Sequence, residues 1–412
     1  MEHKKEQVLL IYIKENKDNQ RAEFIQLARA ADMEVVDVID VSLRTISSST
    51  YLGKGKVEEI RLQVEELHPD LIIISKELSP LQSRNLETEL GCILMDRTAL
   101  ILEIFSSRAT TREAKLQIEA AQLRFLLTKL VGSTAYLGRQ SGGQNKGAGE
   151  KKLELNRRVI KKQIAVCSQQ LKELEKQRKV RSSRRRDSQL PLVSLVGYTN
   201  AGKSTIMNAM LSENHETQKQ VLAKDMLFAT LDTSIRKIHH KQHDFLLSDT
   251  VGFVSQLPHG LIQAFHSTLE EARDADLLLQ VIDVSDPFYE EQMEIAKSTL
   301  TEIKADHVPS IAIYNKADQS NQVYPRICAN GIYMSANEKE SMELLMDHIC
   351  DFLFSEVKTT LFLPYEETDL ISECQNNPSL YMLSYLNDGV KVKLLYRHEL
   401  SKRLHLFVVN EK

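Results

Sequence analysis

The sequence predicts an α/β chain: an N-terminal parallel α/β domain with a long antiparallel helical hairpin, then a P-loop domain, then a small C-terminal α+β domain. Three observations carry this. Short apolar, mostly β-branched runs alternate with amphipathic stretches in two separate blocks. Between the blocks, apolar residues repeat at four-three spacing in two long segments. The second block opens with a glycine-rich turn set between a strand and a helix. Boundaries are expected at 1–108, 109–186, 187–357 and 358–412.

In the first block, VLLIYI (Val8–Ile13), EVVDVIDV (Glu34–Val41), DLIIIS (Asp70–Ser75) and CILMD (Cys92–Asp96) read as strands. QRAEFIQLARAADM and GKVEEIRLQVEELH between them read as helices. GKGK (Gly53–Lys56) lacks the spacing of a phosphate loop and is better a helix N-terminus. Leu116, Ala120, Leu123, Leu127 and Leu130 then form one seam, and Ile160, Ile164, Cys167, Leu171 and Leu174 its partner. The stretch from Gly132 to Gly149, rich in Gly, Ser and Gln, is expected to be a long exposed loop at the hairpin tip. Lys179–Pro191 is expected to be a basic linker.

In the second block the strands are LVSLVG, HDFLLSDT, ADLLLQVIDVS, PSIAIYN and GIYMS. Helices are expected at LIQAFHSTLEEARD, YEEQMEIAKSTLTEI and about Ser341–Phe354. The tail offers TLFLPY, a short helix, and a hairpin of LYMLSYL and VKVKLLYR around Asn387–Asp388–Gly389.

With 42% hydrophobic and 27% charged residues, this is an ordinary globular composition. VLLIYI is too short to span a bilayer and runs into Lys14, so no membrane partner or signal peptide is expected. The five cysteines, scattered and without metal-ligand spacing, fit reduced packing residues of a cytoplasmic protein, expected to be monomeric. Charge is uneven. From Ser106 to Arg186 there are 21 Lys/Arg against 6 Asp/Glu, a net of +15, so with a whole-chain charge of −4 the remainder carries −19. A solvated helical face explains a charge run by itself; a polyanionic partner explains it if other features point the same way.

GYTNAGKS (Gly197–Ser204) fits G-x-x-x-x-G-K-[ST]. Backbone N–H groups of Gly197, Tyr198, Thr199, Asn200, Ala201 and Gly202 can curl around phosphates, and the helix N-terminus through Thr205 adds positive potential. Lys203 supplies a point charge for the β- and γ-phosphates, and Ser204 a hydroxyl ligand for Mg²⁺. In DTVG, Asp249 can hold the metal's hydration shell and the Gly252 N–H can meet the γ-phosphate, with Thr250 and Val251 between them. NKAD (Asn315, Lys316, Ala317, Asp318) ends another strand, where ligands bind in open α/β sheets. Asp318 can accept both guanine N–H donors, and adenine, lacking them, is rejected by roughly 10⁴-fold. Ser335 and Ala336 stand where a backbone N–H can reach the guanine oxygen. The order of these patterns points to GTP and GDP. A threonine must also close on the metal, and FATLD (Phe228, Ala229, Thr230, Leu231, Asp232) offers Thr230, with Thr233 as the alternative. Lys203, Thr230 and Gly252 are the expected catalytic groups of a P-loop GTPase domain.

GYTNAGKST, LFATLD, SDTVGF and NKAD, together with YLGKGKVEEI, LSPLQSRNLE, Asp96–Leu123 and GEKKLELNRR, resemble the HflX family of ribosome-associated GTPases, within the Obg–HflX group, over nearly the full length. That resemblance implies binding to the large ribosomal subunit and GTP-dependent splitting of stalled or idle ribosomes. The basic hairpin would then follow rRNA phosphates. Arg184, Arg185 and Arg186 can add contacts or stay solvated. Tyr136 and Arg139 can stack on bases or be incidental. The family's tip usually reads Arg-Gly-Pro-Gly-Glu, whereas NKGAGE (Asn145–Glu150) stands here, which raises the hypothesis of action on antibiotic-bound ribosomes. Asn200 matches a position that holds K⁺ in some related GTPases, or is simply a turn residue. Phe253 stands where many GTPases place a water-orienting glutamine, which implies slow intrinsic turnover stimulated by the partner. Rival readings are a GTP-switched binding factor whose hydrolysis only times release, and a GTPase of tRNA modification or rRNA maturation, whose accessory motifs are absent.

Overall fold

Residues of β1 (Gln7–Ile13) point alternately to two faces, and every one from Val8 to Ile13 is buried, so helices must cover both sides. The computed structural model describes the chain apart from 1–4, 15–19, 141–145, 188–189, 214–226, 229–233, 256–270, 355–356, 376–379, 397–406, 408 and 410–412; at 131–140, 146–153, 178–187, 213, 357–359, 373, 381 and 394–396 it describes backbone alone. β1, β2 (Glu34–Val41), β3 (Leu71–Ile74) and β4 (Leu94–Asp96) form a parallel sheet in the order β2-β1-β3-β4. Val8, Leu10 and Tyr12 pack with α1 (Gln20–Ala30) and α4 (Arg97–Arg108). Leu9 and Ile11 pack with α2 (Lys54–Leu67) and α3 (Pro80–Leu90) on the other face.

The helix ends follow local rules. α2 starts at Lys54 after Gly53, so GKGK is the helix N-terminus expected. α3 has a Ser79–Gln82 capping box, Pro80 at its first position and Gly91 at φ 65° after its last. Asp96 caps α4 by accepting from the Ala99 N–H at 2.9 Å.

α5 (Arg112–Gln140) and α6 (Lys146–Asp187) pack on each other as the helical hairpin. Ala120, Ile160 and Cys167 of the expected seam are buried, and Leu123, Leu127, Ile164 and Leu171 half-buried. Two expectations are corrected. The backbone is helical to Gln140 and again from Lys146, so Tyr136 and Arg139 lie on helix; residues 141–145 of the expected loop lie outside the described residues. The basic stretch 179–187, Arg184–Arg186 included, likewise continues α6 rather than forming a linker. Once a helix exists, each further residue adds a hydrogen bond without a new nucleus, and a single glycine costs only about 1 kcal/mol. Lys129 on α5 bonds Asp96 Oδ2 at 2.7 Å and Leu78 O at 3.0 Å, which pins the hairpin's root to the start of α4.

The second sheet runs β10-β11-β9-β8-β5-β7-β6. Its strands are β5 (Leu192–Gly197), β6 (Ser234–His240), β7 (His243–Asp249), β8 (Leu277–Asp283), β9 (Ser310–Asn315), β10 (Arg326–Cys328) and β11 (Gly331–Tyr333). Its helices are α7 (Lys203–Glu213), α8 (Tyr289–Glu302) and α9 (Lys339–Phe354). The edge strands β6 and β10 pair antiparallel and escaped the sequence reading because their polar residues break the apolar pattern. Of the helix expected at 261–274, only 271–274 is described, with 271–273 as helix and Asp274 as a turn. The tail forms a sheet β12-β14-β13 from β12 (Val357–Pro364), β13 (Leu380–Leu386) and β14 (Gly389–Tyr396), covered by α10 (Thr368–Gln375). All five cysteines are free thiols. Among the described residues no helix is long and apolar enough to cross a membrane.

Candidate nucleotide-binding site

β5 is the strand at which the sheet order turns, with β8 on one side and β7 on the other, so a crevice opens at its C-terminal edge. The loop after it is the glycine-rich turn. Asn200 takes φ 63°, a left-handed conformation that Asn tolerates in a turn. Gly202 sits at φ 99°, and a Cβ there would lie 2.2 Å from Asn315 Nδ2. Lys203 opens α7, and its buried Nζ donates to Gly197 O at 3.0 Å and Tyr198 O at 2.7 Å, wrapping the loop around the ammonium. Burial pushes its pKa down to about 8, a shift that the nearby Asp249 opposes.

Ser204 Oγ donates to Asp249 Oδ2 at 2.8 Å. A hydroxyl beside a carboxylate is a hard-oxygen donor set that suits Mg²⁺. Thr205 follows on α7, half-buried. Thr250 is spent structurally, its hydroxyl donating to Leu195 O at 2.6 Å, and Ala201 is buried under the loop. Gly252 lies against the phosphate loop: a Cβ built on it would be 2.7 Å from Thr199 Cα and 2.9 Å from Lys203 Nζ.

At the other end of the crevice Asn315 closes β9. Its amide donates to Ala201 O at 2.9 Å and its Oδ1 accepts the Ala336 N–H at 3.0 Å, so one buried side chain joins three loops. Lys316 pairs with Asp283 at 2.6 Å. Ala317 is buried and Asp318 exposed. The Ser335 N–H donates to Ser341 Oγ at 3.2 Å.

Three contiguous family profiles match: "GTP-binding GTPase N-terminal" over 18–106, "GTP-binding GTPase Middle Region" over 108–185 and "50S ribosome-binding GTPase" over 192–316. The GTPase HflX of Caldanaerobacter subterraneus is 39% identical over 98% of this chain and 94% of its own length. The chain belongs to the HflX family. The GTPase HflX of Escherichia coli is 40% identical over 88% of this chain and 86% of its own. A GTP-binding protein from Sulfolobus solfataricus, solved with GDP, superposes at a TM-score of 0.46 with 23% identity, over 83% of this chain and 97% of that one. GTP hydrolysis is thus the activity of this HflX-family chain.

Within this HflX-family site the glutamine position, Phe253, is a core residue. Its side chain, 2% exposed, packs with Val196, Tyr198 and Ala275. Its backbone pairs with the phosphate loop, donating to Gly197 O at 3.0 Å and accepting from the Thr199 N–H at 2.8 Å. Phe228, expected at the nucleotide, instead has φ 56° and is buried in the core of the N-terminal domain, its ring edge-on to Phe105 at 4.6 Å. Val251 joins the same core. Ala229, Thr230, Leu231, Asp232 and Thr233 lie outside the described residues.

Four further residues at this site escaped the sequence reading. Asp283, which holds Lys316, ends a strand of the sheet, a position that was the available signal. Glu23 and Ser255 bond Tyr198 at the domain junction and Arg97 bonds both of them; nothing local marks Glu23 or Ser255, and Arg97 is marked only by lying in the stretch Asp96–Leu123.

Proposed function

We propose that this chain binds GTP, with Mg²⁺, in the crevice and uses it to bind the large ribosomal subunit and part stalled, idle or antibiotic-bound ribosomes. In this reading Lys203 contacts the β- and γ-phosphates, the Gly252 N–H senses the γ-phosphate, and Asp318 reads guanine. Ser204 and Thr230 would ligate the metal, with Asp249 holding its water shell. Held by those residues, Mg²⁺ would supply positive charge to offset that of the phosphates. The observation that carries the reading is the joining of a guanine-type loop set, through Asn315, to a phosphate loop whose neighbouring switch segment is bonded to the domain bearing a +15 hairpin.

Because the Phe253 side chain is committed to the core, water must be oriented by backbone, by the segment around Thr230 or by the ribosome. Large subunits are therefore expected to stimulate turnover by roughly 10³–10⁵-fold. The same feature favours a second reading, in which GTP binding alone does the work and hydrolysis times release. Subunit profiling of purified ribosomes tests both. Wild type with GTP should yield free subunits, whereas Lys203→Ala and a chain lacking residues 136–149 should not. Full splitting with a non-hydrolysable analogue selects the second reading, and intact ribosomes under every condition defeat both.

A further inference from the structure

The phosphate loop is bonded to a different domain. Tyr198, within the loop, donates its hydroxyl to the carboxylate of Glu23 on α1 and accepts the Ser255 N–H at 2.8 Å. The Ser255 hydroxyl donates to Glu23 Oε1 at 2.6 Å. Arg97, at the start of α4, donates to Glu23 and to Ser255 O at 3.0 Å. The Arg97 and Glu23 side chains are only 6% and 10% exposed. Glu23 thus accepts from three partners, and Ser255 stands two residues beyond Phe253. Phe228, Val251 and Val254 are buried in the same N-terminal core as Phe24 and Phe105.

We infer that Glu23 and Tyr198 are positioning residues that set the preference between GDP and GTP. Together they hold Ser255 so that Phe253 stays paired with the phosphate loop. In that pairing the Thr199 N–H is spent on Phe253 O, and Gly252 is pressed against Thr199 and Lys203. A γ-phosphate oxygen bonded to both Lys203 and the Gly252 N–H needs a donor–oxygen spacing of about 2.9 Å on each side. Gly252 must then move outward, carrying Phe253 and Ser255, and the bonds of Ser255 to Glu23, Arg97 and Tyr198 must break or rearrange. GDP makes no such demand. The N-terminal domain therefore weighs against the triphosphate until something offsets that loss, and its α1 and α4 register which nucleotide is bound. This inference rests on the proposed roles of Lys203 and Gly252.

The test is the affinity of the full chain for GDP and for a non-hydrolysable GTP analogue. In Glu23→Gln and Tyr198→Phe the analogue should gain on GDP by about tenfold, the worth of a hydrogen bond to a charged group. Tyr198→Phe removes one oxygen and strands the Ser255 N–H but leaves Glu23 and Arg97 paired, so the readout is the ratio of the two affinities within each variant, not either affinity alone. If Glu23→Gln does not fold, Tyr198→Phe decides alone. An unchanged ratio, a shift towards GDP, or an equal loss for both nucleotides overturns the inference. The underlying assignment fails separately, if Lys203→Ala binds both nucleotides as wild type does.

Discussion

The two ends of the crevice are built on opposite plans. At the guanine end every support comes from the same sheet: Asn315 is bonded to the loops after β5 and β11, and Lys316 to the end of β8. At the phosphate end the supports cross a domain boundary, from Tyr198 and Ser255 to Glu23 and Arg97. A base pocket need only be shaped once, and it gains from rigidity. A phosphate sensor has to exist in two arrangements, and its partners decide what else moves.

The largest effect should separate the ends completely. Asp318→Ala, exposed and outside the loop scaffold, should reduce discrimination of GTP over ATP by roughly 10³-fold or more in competition binding while leaving the melting temperature unchanged. Asn315→Ala should break the division. It strands the Ala201 carbonyl and the Ala336 N–H, lowering stability by about 2–3 kcal/mol in urea unfolding and weakening GDP and GTP by one common factor.

A pH series sharpens the phosphate end. In the proposed role Lys203 meets phosphate as the ammonium, and burial holds its pKa near 8. Phosphate raises that value, so binding takes up a proton above pH 8, and GDP affinity should fall by about tenfold per pH unit from there upwards. Affinity that stays flat to pH 9.5 would show that the ammonium is not a phosphate contact. The smallest effect is expected from monovalent cations. With Asn200 acting as a turn residue, turnover should be the same in Na⁺ as in K⁺, and a clear K⁺ preference would return it to cation holding.

What the sequence disclosed divides instead by contiguity: the glycine-rich turn Gly197–Ser204 is as legible as the guanine loops, and only the supports that reach across domains are not. The loops of the guanine end are contiguous motifs at strand ends, so Asn315, Asp318 and Ala336 could be placed by order and spacing. The strands of the N-terminal sheet were equally legible, because burial on both faces writes a nearly continuous apolar run such as Val8–Ile13. Glu23 and Ser255 are 232 residues apart, and a glutamate on an amphipathic helix looks like surface until the other domain covers it. The hairpin tip departs from its sequence pattern for another reason. Its glycines and serines suggest a loop by composition, while helix propagation from the long flanking segments determines the backbone through Gln140. Phe228 carried a motif position, but its ring follows the apolar neighbour at Phe105.

Asp96 and Arg97 are consecutive. The first is bonded to Lys129 at the base of the hairpin, the second to the segment that must shift for a γ-phosphate. The 29 residues of α5 make a rod about 44 Å long at 1.5 Å per residue. A tilt of about 5° at that pivot would sweep its far end through about 4 Å, turning the arrival of one phosphate into a mechanical stroke.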